Sequence, residues 1–348
     1  HALGAMHLMR MAVNTLRQKG QEITPDEEEA VYIAILLHDI GHGPFSHALE
    51  NSIIPGIGHE QLSLDFMKQL NQEFQGKLSL ALQIFKNDYP KKFLHQLISS
   101  QLDVDRLDYL RRDCFYTGVS EGRVNTERLI SMLNVADDQI VVEAKGIYSV
   151  EKFLVARRLM YWQVYLHKTV LGAEYLLIQI LKRAKAVEHL KLKMPSVLKP
   201  FIENEIIDKP KELINKYAQL DDYDVMAAIK EWQYCSDKVL SNLCQRLLDR
   251  KLLGVEISNQ EIPQKRLASL RAKTGELLGL SADEASYLVF SEAISNNAYN
   301  PQRDRINLLY KNGNLVDIAQ AADQLNLSAL SQPVTKYFLF APKAVLEA

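Results

Sequence analysis

Residues 38–60, HDIGHGPFSHALENSIIPGIGHE, hold four of the chain's nine histidines: His38, His42, His47 and His59. Asp39, Glu50 and Glu60 stand among them, and the run Gly41-His42-Gly43-Pro44 breaks whatever regular structure comes before it. A segment that only builds core has no use for so many imidazoles. Histidine is the commonest metal ligand and the side chain best suited to moving protons near neutral pH. One histidine alone on a helix is more often packed or solvated than ligating. Four in one short segment, one of them joined to an aspartate, reverse that reading. His38-Asp39 offers a nitrogen and an oxygen donor from consecutive residues, at the end of the apolar run AVYIAILL (30–37). The stretch therefore reads as a divalent-metal site with a histidine-rich catalytic wall.

Upstream of it, the pattern is helical. Thr24-Pro25-Asp26-Glu27 opens a helix, with Thr24 as cap, Pro25 in the first helical position and Glu27 completing a capping box. The following EEAVYIAILLHDI is apolar enough for a buried helix that ends at Gly41-Gly43-Pro44, where backbone irregularity lets several side chains converge. Residues 1–19 carry apolar residues at helical spacing and stop before Gly20, which places His1 at a helix start. Because the chain begins at His1, a preceding segment is expected. No signal peptide is required by what is shown.

Downstream, residues 62–100 alternate amphipathic stretches with polar turns. In SSQLDVDRLDYLRRD (99–113), Asp105, Tyr109 and Asp113 fall at i, i+4 and i+8, along one helix face, while Leu102, Leu107 and Leu110 belong to the buried side. That face fits a pocket wall and a solvated charge stripe equally well. Residues 139–150 predict a β-hairpin with Lys145-Gly146 at its turn, and 151–186 a long helix. Along that helix Arg157, Tyr161, Tyr165 and Lys168 recur at helical spacing. Two cations and two rings on one stripe can hold a nucleotide, the cations on phosphate and the rings on sugar or base; they also suit half-buried rings with solvated cations. Prolines at 195, 200 and 210 mark a change of composition, and helices resume over 211–250. Beyond 252, LLGVEIS, SYLVF, RINLLY and KYFLF read as strands, Asn312-Gly313 as a hairpin turn, and 263–278 and 317–330 as helices, in a βαββαβ order.

The 348 residues can bury a large core, and 47% hydrophobic with 24% charged residues is ordinary for a globular protein. With 41 basic against 43 acidic side chains, no global field attracts a polyanion, so there is no strong nucleic-acid signal; a local basic pocket for a phosphate ligand is compatible with the balance. Cys114, Cys235 and Cys244 are few, odd in number and without CxxC spacing, which fits a reducing cytoplasm and excludes a cysteine zinc site. No apolar run approaches the ~18 residues of a membrane span.

Taken in order, HALG (1–4), HDIGHGPFSH (38–47), GHE (58–60), LDVDRLDYLRRD (102–113) and ARRLMYWQVYLHK (156–168) resemble the HD-domain deoxynucleoside-triphosphate triphosphohydrolases, nearest to the bacterial branch and more distantly to the animal enzyme that joins a SAM domain to an HD domain. The resemblance covers residues 1 to about 190 with specific motifs and 220–255 more loosely. It implies a mainly α fold: an HD-domain helical bundle with a small β-hairpin insertion and a C-terminal α+β subdomain. The segments are a catalytic core over 1–190, a helical extension over 191–251 and the α+β part over 252–348.

The same resemblance implies that His1, His38, Asp39 and Asp105 hold one divalent ion (Mn, Fe, Ni, Zn or Mg), and that His42, His47, Glu50 and His59 are catalytic. Arg106, Tyr109, Asp113, Arg157, Tyr165 and Lys168 would contact phosphate and sugar, with Tyr161 on the same stripe. Relative to the animal enzyme, Glu50 stands where an Asp is found, Arg106 where a Lys is found, and Leu166 where a Gln is found. The last removes a polar group from a pocket position and bears on base preference. The family's base-reading and effector-site segment upstream of its first ligand histidine is not shown in this sequence.

The implied reaction is metal-assisted hydrolysis of a deoxynucleoside triphosphate to deoxynucleoside and tripolyphosphate, in a cytoplasmic homo-oligomer. Two alternatives stand beside it. One is a phosphohydrolase of the same superfamily acting on a nucleoside monophosphate or guanosine tetraphosphate; the GYP motif of the cyclic-dinucleotide branch is absent. The other is a nucleotide-binding regulator that has lost catalysis, against which the intact ligand set argues.

Overall fold

Helix α1 (Ala2–Gln18) forms because Ala5, Leu8, Met9, Ala12, Val13 and Leu16 bury one stripe, and it stops where Gly20 takes a left-handed φ of 88°. Helix α2 (Pro25–Leu37) starts on the expected capping box: Glu27 N–H donates to Thr24 Oγ1 (3.2 Å) and Thr24 N–H to Glu27 Oε2 (2.8 Å). The computed structural model describes residues 1–203, 210–302, 304–321 and 332–347. Its helices continue as α3 (Glu50–Ile53), α4 (His59–Glu73), α5 (Ser79–Phe85), α6 (Lys92–Ile98), α7 (Val104–Thr117) and α8 (Thr126–Met132). Then come α9 (Ile147–Met160), α10 (Lys168–Ala186), α11 (Lys199–Ile202), α12 (Pro210–Tyr217), α13 (Asp222–Trp232) and α14 (Lys238–Leu248). The fold is mainly helical with small sheets, as expected.

Two compact units emerge, each from three stretches of chain. The first comprises His1–Gly41, Ser63–Tyr165 and Asn296–Val334; the second His42–Leu62, Leu166–Ser295 and Thr335–Ala348. In the first, α1 packs on α2 and α7, and α2 also on α5 and α6. Its core runs through Met9, Ile35, Ile84, Leu94, Leu110 and Phe153. Each unit is thus stitched from distant sequence.

Three local expectations need correction. The hairpin lies earlier than 139–150: β1 (Leu133–Ala136) pairs with β2 (Gln139–Glu143), Leu133 opposite Val142 and Ala136 opposite Gln139. Asp137 and Asp138 make its turn at φ 53° and 60°, the doubly left-handed two-residue turn that matches strand twist, and aspartate tolerates that region. Lys145-Gly146 instead belongs to a 3₁₀ turn leading into α9.

The long helix over 151–186 is broken. After Met160 it widens into a π-turn, Tyr161–Tyr165, and a new helix starts at Lys168, where His167 Nδ1 accepts from Thr169 N–H (3.2 Å). Arg157, Tyr161, Tyr165 and Lys168 therefore do not share one helix face.

The C-terminal strands are split. Strand β3 (Gly254–Ser258), β4 (Phe290–Asn296) and β7 (Val334–Ala341) form one sheet in the order β3-β7-β4, and α15 (Gln264–Leu278) and α16 (Ala282–Ala285) connect β3 to β4. Of SYLVF only Phe290 is in a strand. Strand β5 (Asn307–Leu309) turns at Gly313 into β6 (Leu315–Asp317), so the Asn312-Gly313 signal holds, but β5 pairs in parallel with β2, Val142 opposite Leu308. A single βαββαβ unit does not form. Of the helix expected over 317–330, Ile318–Ala321 is helical and 322–330 lies outside the described residues. A last helix covers Lys343–Leu346.

Candidate active site

His38 occupies the C-cap of α2, where the helix hands over to the glycine break. Its Nδ1–H donates to the Ile35 carbonyl at 2.7 Å, since a carbonyl can only accept. The proton on Nδ1 leaves a lone pair on Nε2. That atom is buried and makes no hydrogen bond, yet it lies 3.3 Å from Asp39 Oδ2 and 3.4 Å from Asp105 Oδ1. Such an approach is favourable only with a proton on Nε2, which the two carboxylates promote, or with a cation standing between them.

His1 approaches the same point from the start of α1. Its Nε2 lies 2.9 Å from Asp105 Oδ1 and 3.6 Å from Asp39 Oδ2, and its ring meets that of His38 edge-on at 5.5 Å between centroids. Donor atoms of His1, His38, Asp39 and Asp105 all fall within 4.8 Å of one another. Burial works against charging His1, but the carboxylates of Asp105 and Asp108 outweigh it and push its pKa up to about 10. Asp105, although buried, is held well below the usual carboxylate range by His1 and His38. A proton on His1 thus occupies a place that suits a divalent ion, and two imidazoles with two carboxylates are a donor set for mid-row metals. The residues fit such an ion.

Asp108 was not among the sequence candidates. It lies one turn after Asp105 on α7, and its Oδ2 accepts from His1 Nδ1 at 2.7 Å. The only sequence signal is the second acid of D-R-L-D, which nothing local ties to residue 1.

The second unit gathers His42, His47, His59 and Glu50. The rings of His42 and His59 stack at 4.1 Å, and His47 meets them edge-on at 4.5 and 5.2 Å. Glu50 Oε1 accepts from the His59 ring Nδ1–H (2.6 Å) and from the His59 backbone N–H (2.8 Å); Oε2 lies 3.4 Å from His47 Nδ1. Burial opposes ionisation of Glu50, yet these His59 bonds bring its pKa down to about 2. The His47 side chain is 72% exposed. Phe45 and Ser46 hold left-handed φ of 55° and 46° in the loop carrying His47, and Phe45 N–H donates to Asp222 Oδ1 at 2.8 Å. Gly43 must lack a side chain, because a Cβ there would fall 2.1 Å from the Tyr217 hydroxyl. Neither Asp222 nor Tyr217 was a sequence candidate.

The other candidates divide between the units. Tyr109 and Asp113 lie along α7 as expected, and the Tyr165 hydroxyl donates to Asp113 Oδ2 at 2.6 Å. The Tyr165 ring is 6.1 Å from Tyr109 and 5.2 Å from Tyr161, so the π-turn brings the tyrosines to α7 in place of the straight stripe. Arg157 is buried, with Nη1 on Gln101 Oε1 (3.2 Å) and Nε without a hydrogen-bond partner. Arg106 is tied down by Ser100 O (2.8 Å) and Asp103 (3.3 Å). Lys168 opens α10 in the second unit.

Residues 1–113 match the HD domain and residues 124–283 the HD associated region. An uncharacterized protein of Bacillus subtilis, YwfO, is 31% identical over 99% of this chain and 81% of its own length. The chain belongs to the HD-domain phosphohydrolase family. A crystal structure named phosphohydrolase BT4208 of Bacteroides thetaiotaomicron superposes with a TM-score of 0.93 at 49% identity, over 98% of this chain and 86% of that one. A Dictyostelium discoideum protein named deoxynucleoside triphosphate triphosphohydrolase SAMHD1 homolog is 28% identical over 62% of this chain and 43% of its own. Within the HD-domain match fall the four candidate ligands and the histidine cluster. Arg157, Tyr161, Tyr165 and Lys168 fall in the HD associated region.

Proposed function

We propose that this HD-domain phosphohydrolase acts on deoxynucleoside triphosphates, cleaving at the α-phosphorus in the manner of a dGTPase to give deoxynucleoside and tripolyphosphate. The observation that carries the reading is the buried Nε2 lone pair of His38 set against the carboxylates of Asp39 and Asp105, with His1 alongside. The substrate class is supported by the SAMHD1-named relatives and by the Arg157, Tyr109, Asp113 and Tyr165 group.

A divalent ion bound by His1, His38, Asp39 and Asp105 supplies a Lewis acid for a phosphate oxygen and a lowered pKa for water. His59, with its Nδ1–H committed to Glu50, keeps Nε2 for a proton in transit. His47, exposed and three residues before Glu50, is assigned the protonation of the leaving 5′ oxygen. Arg157 carries an N–H group free for a phosphate oxygen, and Arg106 and Lys168 add positive charge. The Asp113–Tyr165 pair and the tyrosines beside it receive the sugar. Assignment of both clusters to one reaction rests on the motif order and on His42 following Asp39 by three positions.

The reading includes a cytoplasmic homo-oligomer. Cys114, Cys235 and Cys244 are free, and no helix among the described residues is long and apolar enough to cross a membrane. The test is incubation with each dNTP and Mn, Fe, Ni, Zn or Mg in turn, with products separated by chromatography. Intact tripolyphosphate is expected. Orthophosphate or pyrophosphate release, or turnover of a monophosphate or guanosine tetraphosphate instead, moves the protein to another branch. No turnover with any metal leaves the regulator.

A further inference from the structure

Asp108 spends every bond it makes on two partners. Its Oδ2 accepts from His1 Nδ1 at 2.7 Å and from Arg112 Nε at 2.8 Å; its Oδ1 accepts from Arg112 Nη2 at 3.1 Å. The carboxylate is nearly buried, with 10% of its side chain exposed, and the Arg112 fork one turn further along α7 fixes its plane. Directly opposite stands Gly4, one turn into α1 from His1. A Cβ on Gly4 would fall 2.0 Å from Asp108 Oδ1 and 2.4 Å from Arg112 Nη2. Both are side-chain ends, so an added methyl would displace the fork and leave the backbone of either helix in place. Alanine is the better helix former, so a glycine here answers to space and not to helix formation.

We propose that Asp108, clamped by Arg112 in the space that Gly4 leaves open, is a positioning residue that sets the His1 ring as a metal ligand. Accepting from Nδ1–H leaves Nε2 as the atom that faces Asp39 and Asp105, and it fixes the ring's rotation. His38 gets the same service from the Ile35 carbonyl within its own helix. His1, at the N-cap of α1, takes it from α7. Partners of this kind change metal affinity by roughly 10–100-fold. The inference rests on the metal reading given above.

The experiment uses the whole chain and cobalt(II) as the probe. Affinity is read by competition with a chelator, ligand geometry from the visible absorption of the bound ion, and folding from thermal unfolding of the metal-free proteins. Asp108→Ala is expected to weaken cobalt binding 10–100-fold and change the visible spectrum, while Asp108→Asn, which retains an acceptor of the same shape, restores most of the wild-type spectrum. Gly4→Ala is expected to weaken binding about tenfold while the metal-free protein unfolds at the same or a higher temperature. Wild-type affinity and spectrum in both Asp108→Ala and Gly4→Ala would overturn the assignment and leave the metal reading standing. So would losses of affinity that only track lower unfolding temperatures. Failure of the wild-type chain to take up cobalt at all defeats the metal reading itself, and this inference with it.

Discussion

Among the described residues two groups of imidazoles and carboxylates stand out, one in each unit, and they are built on opposite plans. Around His1 and His38, carboxylates outnumber rings: Asp39, Asp105 and Asp108 surround two histidines whose Nε2 atoms face acid oxygens. Around His59, rings outnumber acids: His42 stacks on His59, His47 meets both edge-on, and Glu50 contacts His59 and His47. Excess negative charge around converging lone pairs asks for a cation. Excess rings around one anchored acid leave nitrogens to give and take protons. On the proposed reading, the same two residue types serve as a binding centre in one group and a proton-handling centre in the other, according to their ratio.

The harshest way to break that contrast is to remove a ligand. His38→Ala or Asp105→Ala is expected to bring metal content, read by elemental analysis, and turnover to background together. A metal-depleted His38→Ala protein with full activity would show that the first group is not the centre it is built to be. His59→Ala should instead cost on the order of 10²–10⁴ in kcat with metal content unchanged. If its metal content falls in parallel, the two groups are not distinct in role. Arg157→Ala sharpens the picture outside both groups: loss of charged hydrogen bonds worth about 1.5–3 kcal/mol raises KM for a triphosphate roughly 10–100-fold. Steady-state kinetics checks this, and an unchanged KM and kcat removes Arg157 from the substrate.

The Glu50 carboxylate gives a pH test. Its pKa is lowered from 4.5 to about 2 in the folded chain, so its contribution to stability is full above 4.5 and fades as pH falls toward 2. Acid unfolding followed by circular dichroism should show wild type and Glu50→Gln converging across that window. A gap that stays constant down to pH 2 would mean that the histidines do not hold this acid. The smallest effect is expected at the far end of α2. Thr24→Ala should cost about 1 kcal/mol of stability through the lost cap while metal affinity stays as it was, because His38 is set by Ile35 at the other end.

In the first group His38 and Asp39 were readable from residue type and place, at the end of an apolar run, whereas His1 and Asp105 entered as ligands only through the resemblance carried by the ordered motifs. Asp108 was hidden, since an acid on a polar helix face is ordinary and its partner stands 107 positions away. The π-turn at Tyr161–Tyr165 was hidden for another reason: apolar periodicity runs through it unbroken, and the extra residue in the turn leaves no mark on composition. In the hairpin, a glycine at 146 outweighed two aspartates at 137 and 138, although aspartate also adopts the left-handed conformation the turn needs. Strand propensity found β5, and the Asn312-Gly313 signal its turn, but not the strand that β5 pairs with in parallel. Pairing across such a distance depends on which sheet edge is open, and propensity is silent about that.

That pairing governs the order of assembly. Val142 lies beside Leu308, so one edge of the sheet in the first unit waits for a strand made 166 residues later. During synthesis one edge of β2 presents bare N–H and carbonyl groups until residues 307–309 have left the ribosome, a long exposure for an aggregation-prone edge. Loop closure over that span slows folding, and a nascent chain cut short before residue 307 would carry all four candidate ligands on a body with its seam still open.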